Sequence, residues 1–98
     1  MSSDDIKRFV VTITGGDRSL TDINELTNAM TRGGFALTVA DDDGKVHELG
    51  PLTFSILGTL DADEVKSLAE GLGESALDTR PDVEVTPLEQ WFSENASR

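Results

Sequence analysis

The sequence predicts an α+β fold: an antiparallel sheet of four to five strands with two helices on one face, a ferredoxin-like βαββαβ order, and a short C-terminal helix. Three observations carry this expectation. Between Ile6 and Thr14, Phe9, Val11 and Ile13 alternate with Val10, Thr12 and Thr14, the period of a strand. The spacing then changes to a helical stripe at Leu20, Ile23, Leu26, Thr27 and Met30. The same switch recurs later, from Leu52, Phe54 and Ile56 to Val65, Leu68, Ala69 and Leu72. A strand–helix–strand order repeated with a hairpin between the halves is the split βαβ arrangement.

Each element has its own local signals. Gly15-Gly16-Asp17-Arg18 breaks the first strand, and Ser19 with Asp22 three residues on forms a capping box that opens the first helix. Asp22 and Glu25 in the early turns and Arg32 in the last suit the helix dipole, and Gly33-Gly34 stops the helix. Phe35, Leu37 and Val39 alternate as a second strand. Asp43-Gly44 is a hairpin signal leading into Lys45–Leu49. Gly50-Pro51 interrupts, so residues 45–58 form either one bent strand or two strands of a meander. Asp61 and Glu64 make another capping box, Gly71 weakens the helix that follows, and Gly73 is expected to end it. Ser75–Pro81 reads as a connector and Asp82–Val85 as a short strand. Thr86, Pro87 and Glu89 then supply a cap, a first-turn proline and a first-turn acid for the closing helix. The expected core joins Phe9, Val11, Ile13, Leu37, Val39, Phe54 and Ile56 to Ile23, Leu26, Leu68 and Leu72. Thr12, Thr14, Thr38, Thr53 and Ser55 leave the second face of the sheet mildly polar. Trp91 and Phe92 on the last helix read as core plugs.

The 98 residues suit one domain, with residues 1–5 and 95–98 as flexible tails. There is no cysteine, which excludes disulfides, thiolate metal sites and thiol catalysis. No stretch has the length of a signal peptide's apolar segment or of a membrane span, so a cytoplasmic protein is expected. The charge is lopsided. Residues 41–98 hold fourteen acids against four bases, and residues 1–40 hold five against four. Such a surface disfavours nucleic acid and anionic membrane as direct partners, because both present phosphates. It favours another protein with a basic surface.

Enzymatic chemistry finds little support in the residue types. His47 is the one histidine, the residue type best suited to proton transfer near neutrality. Beside Glu48 and the acidic hairpin it reads as a partly exposed strand residue. No enzyme, cofactor or metal is expected. Asp41-Asp42-Asp43-Gly44 lacks the alternate spacing and closing glutamate of a calcium loop, and helix capping accounts for Asp61–Glu64. The candidate partner surface is Asp41, Asp42, Asp43, Glu48, Asp63, Glu70, Glu74 and Glu84, whose carboxylates would steer a basic protein. Small acidic proteins that imitate nucleic-acid phosphates inhibit nucleic-acid-binding proteins in this way.

Two alternatives stand beside this interaction module. The stretch Thr12–Gly34, with its strand, Gly-Gly-Asp-Arg turn, helix and Gly-Gly stop, resembles the opening of ACT-type regulatory domains over about a quarter of the chain. The resemblance implies a small ligand, such as an amino acid, held at Gly15, Gly16, Asp17 and Arg18. The other alternative is salt adaptation, in which the acidity of a halophile protein has no partner. A homo-oligomer through a sheet edge or the exposed sheet face is compatible with each.

Overall fold

A computed structural model of the chain describes residues 6–14, 19–41, 43–50 and 52–95. The first strand, β1 (Lys7–Thr14), is the axis of the molecule. Helix α1 (Leu20–Arg32) follows, then the short strands β2 (Thr38–Ala40) and β3 (Val46–Glu48), then β4 (Thr53–Gly58). Helix α2 (Ala62–Leu77), strand β5 (Asp82–Pro87) and helix α3 (Leu88–Asn95) complete the order. The caps of the first two helices form, the first only in part. The Ser19 hydroxyl accepts a hydrogen bond from the Asp22 amide, and Asp61 and Glu64 cap each other reciprocally at the start of α2.

The fold is α+β with antiparallel pairing, but the strands do not form one sheet of four or five. Three pair in the order β4-β1-β5, and β2 and β3 make a separate two-stranded ribbon. A single bridge between Ala36 and Ser55 joins ribbon to sheet. The interruption at Gly50-Pro51 therefore resolves as two strands, and the chain turns between them with Leu52 at φ 63°.

Register assigns the two faces of the sheet. Val11 lies opposite Phe54 and Val85, and these face α1 and α2 together with Phe9 and Ile13. Leu26 and Met30 of α1 and Val65 and Ala69 of α2 close that core. Val10 lies opposite Ser55 and Thr86, and Thr12 opposite Thr53 and Glu84, on the other face. That polar face is partly covered by a second, smaller core of Val10, Val39 and Leu88, against which Leu49, Trp91 and Phe92 pack.

Four expectations need correction. Leu37 is 45% exposed and outside both cores, and Val39 packs in the second core rather than the first. The chain bends at Leu37 before the ribbon begins, so the alternation started at Phe35 is reset. Ile23 is only half-buried, and Met30 and Val65 seal the core instead. Gly73 does not stop α2, which continues to Leu77 and ends where Asp78 takes a left-handed conformation at φ 66°. Pro87 is the last residue of β5, opposite Phe9, rather than the first of the closing helix. Gly15, Gly16, Asp17 and Arg18, the expected ligand junction, lie outside the described residues, as does Asp42.

Candidate functional site

The Asp43-Gly44 turn builds the site. Gly44, at φ 83°, donates its amide to the Asp41 carbonyl, and the Asp41 amide bonds back to the Lys45 carbonyl. A tight turn of this kind folds the Asp41 carboxylate over its own loop. Its Oδ1 accepts the amides of Asp43 and Lys45, each at 2.9 Å. Its Oδ2 lies 2.9 Å from Nε2 of His47, two positions into the returning strand. The His47 hydrogen bond and then the Lys45 amide are the largest causes that hold the Asp41 carboxyl below the ordinary aspartate range. An ionised carboxylate only accepts, so Nε2 carries a proton and Nδ1 is the nitrogen left to take one.

Packing fixes the ring on its other side. His47 pairs with Val39 across the ribbon, which turns it toward α3, and its ring meets Phe92 edge-on at 5.5 Å. Phe92 in turn meets Trp91 at 5.4 Å. The His47 and Asp41 side chains keep 35% and 26% of their surface, so the pair is held yet reachable by solvent. Sequence reasoning treated His47 as an ordinary strand residue. The signal for the pair was present: an aspartate and a histidine six apart across an Asp-Gly turn come together when the turn is tight.

A groove of about 310 Å³ lies where the ribbon diverges from β4. Ala36, Thr38 and Val39 form one wall, Ser55 and Leu57 of β4 another, and Arg8 stands at its edge. The Ser55 hydroxyl donates to the Thr38 carbonyl at 2.8 Å and ties the two walls together. Val39 lines the groove, and its partner across the ribbon is His47, so the ribbon carries both the pair and one wall of the groove.

The acidic residues singled out in the sequence do not share one surface. Asp63, Glu70 and Glu74 lie on α2, on the helical side of the sheet, whereas Glu84 is opposite Thr12 on the other side. Glu48 is exposed on the ribbon and Asp43 in its turn. Glu70 and Glu74 are engaged by Arg80, at 3.0 and 3.3 Å. No group of three or more metal-ligating side chains occurs among the described residues. No helix among them is long and apolar enough to cross a membrane.

Residues 1–94 match the family described as "Endoribonuclease GhoS". A protein of Escherichia coli strain K12, described as "Uncharacterized protein YdiZ", is 43% identical over 93 residues, 95% of this chain and 97% of that protein. Its counterpart in Escherichia coli O157:H7 shows the same identity and coverage. The family's activity overturns the expectation of a non-enzymatic protein. That expectation rested on one histidine and a negative surface, and neither excludes a dyad made of that histidine and one of those acids. By this match, spanning nearly its whole length, the chain belongs to the endoribonuclease GhoS family.

Proposed function

We propose that this chain cuts RNA internally and that His47 is its general base, with Asp41 orienting it. The family supplies the reaction class, and the 2.9 Å contact between Nε2 and the Asp41 carboxylate is the observation that favours this site. RNA carries its own nucleophile. His47 Nδ1 takes the proton of a ribose 2′-hydroxyl, O2′ forms a bond to the neighbouring phosphorus, and the bond from phosphorus to O5′ breaks. The departing O5′ takes a proton from water. The products are a 2′,3′-cyclic phosphate and a 5′-hydroxyl end. Asp41, held in its ionised form, orients the imidazole and stabilises the positive charge that the ring gains, and Phe92 limits how the ring turns.

The finer reading of the fold supports the same location. We take residues 34–40 as the outer strand of a ferredoxin-like sheet, loosened until Ala36–Ser55 is its one bridge. That loosening opens the groove. Incubating the purified chain with RNA, and with the same RNA carrying a 2′-deoxyribose at the cut position, tests the proposal. Cleavage of the first into cyclic-phosphate ends, with the second left intact, is the expected result. Intact RNA in both cases, or cutting on the 3′ side of the deoxyribose at an unchanged rate, overturns it.

A further inference from the structure

Among the described residues Arg8 takes part in no ion pair, as is also true of Lys7, Arg32, Lys45 and Lys66, but of these five only Arg8 lines the groove. By register it lies opposite Leu57 on the polar face of the sheet, at the edge of the groove. Leu57 is 64% exposed, an apolar side chain left uncovered beside a cation. The rest of the lining is mainly apolar: Ala36, Val39, Ile56 and Leu88. At about 310 Å³ the groove is at the small end of ligand sites.

We infer that this groove is a subsite for one unpaired nucleotide of the RNA, with the base against the apolar walls and its phosphate on the Arg8 guanidinium. The inference rests on the RNA-cleaving reading and assigns that site its substrate form. A base has apolar faces and a charged phosphate at a fixed reach, and the groove offers the same two chemistries side by side. A base held in a duplex cannot enter, because its faces are stacked and its edge is paired. The second strand would also bring further phosphates toward Glu84, which is exposed on the polar face of the sheet. Val39 lines the groove and pairs with His47 across the ribbon, so the proposed nucleotide would sit against the same ribbon that carries the proposed base.

The test is fluorescence anisotropy with a labelled single-stranded RNA oligonucleotide, on a His47→Ala background so that the probe survives. Arg8→Gln should weaken binding about tenfold, the loss of one charge-assisted contact, and Arg8→Lys should recover part of it. The dependence of log K on log salt should change by roughly 0.7 on removing Arg8, the value for one phosphate contact to a single strand. Ala36→Leu, which narrows the groove, should weaken binding without changing that dependence. A duplex of the same sequence should bind less well than the single strand. Wild-type affinity in both Arg8→Gln and Ala36→Leu, each checked for an unchanged melting temperature, overturns the subsite even if the parent chain still cuts RNA. Absence of both binding and cleavage by the parent chain overturns the RNA reading and the subsite with it.

Discussion

At Gly73, α2 passes so close to the start of β5 that a Cβ placed there would lie 2.5 Å from Cγ of Pro81 and 3.6 Å from Leu26. The proline ring is too stiff to move aside cheaply, so glycine is needed for helix and strand to approach. We expect Gly73→Ala to cost roughly 1–3 kcal/mol, as overpacking does. Gly71, two residues earlier on the exposed side, has open space around its Cβ position, and Gly71→Ala should stabilise by up to about 1 kcal/mol. Denaturant melts of the two variants check the opposite signs. The Asp41 carboxylate makes a second prediction at this scale. Its folded pKa lies below the unfolded value, so its contribution is fully present above the unfolded value of about 3.9 and is lost as pH falls through the folded one. The turn should therefore keep its Lys45 amide protected in acid below that ordinary value, and Asp41→Asn should lose the pH dependence, as amide NMR of Lys45 would show.

The terminal helix shows which elements were legible in the sequence and which were not. The Ser19 cap, the Asp61–Glu64 capping box, the stripe of α1 and the alternation of β1 are local patterns, and each produced the element it indicated, although Asp22 does not return the bond to Ser19. The failures came where tertiary contact overrode local pattern. Gly73 reads as a helix stop because glycine has low propensity, yet packing against Pro81 makes it obligatory inside the helix. Val39 continues the alternation of Phe35 on paper, but the bend at Leu37 turns it to the opposite side of the sheet. The pairing of His47 with Asp41 depends on how tightly one turn closes, which side-chain spacing alone does not specify. Trp91 and Phe92 were expected to plug a core, and they do so on the second face, half-buried around Val10, Val39 and Leu88. Since Leu88 is nearly fully buried, Leu88→Ala should cost about 2–5 kcal/mol and free α3, whereas Leu20→Ala, 74% exposed, should change stability by no more than about 0.5 kcal/mol. Hydrogen exchange of the α3 amides would separate loss of the helix from global unfolding.

For the whole molecule, the proposed cleavage of RNA has to be reconciled with a net charge of −11. Carboxylates are distributed over both sides of the sheet, so long-range attraction does not bring RNA in. In the proposed reading recognition is therefore short-range, at His47 and at the groove lined by Arg8, which is in no ion pair among the described residues. Screening should help rather than hinder the encounter at low ionic strength, because it first removes repulsion. The chain should be folded in dilute buffer, and thermal melts across a salt series check this. Unfolding below about 0.5 M salt, where the Debye length is only a few ångströms, would instead favour salt adaptation as the origin of the acidity.

The measurement that bears most directly on the proposed chemistry is the single-turnover rate of RNA cleavage by the His47→Ala variant. The His47–Asp41 pair predicts a loss of about 10²–10⁴ against the parent chain, the usual worth of general acid–base catalysis, with the fold unchanged. Cleavage at the parent rate by a folded His47→Ala protein would contradict it.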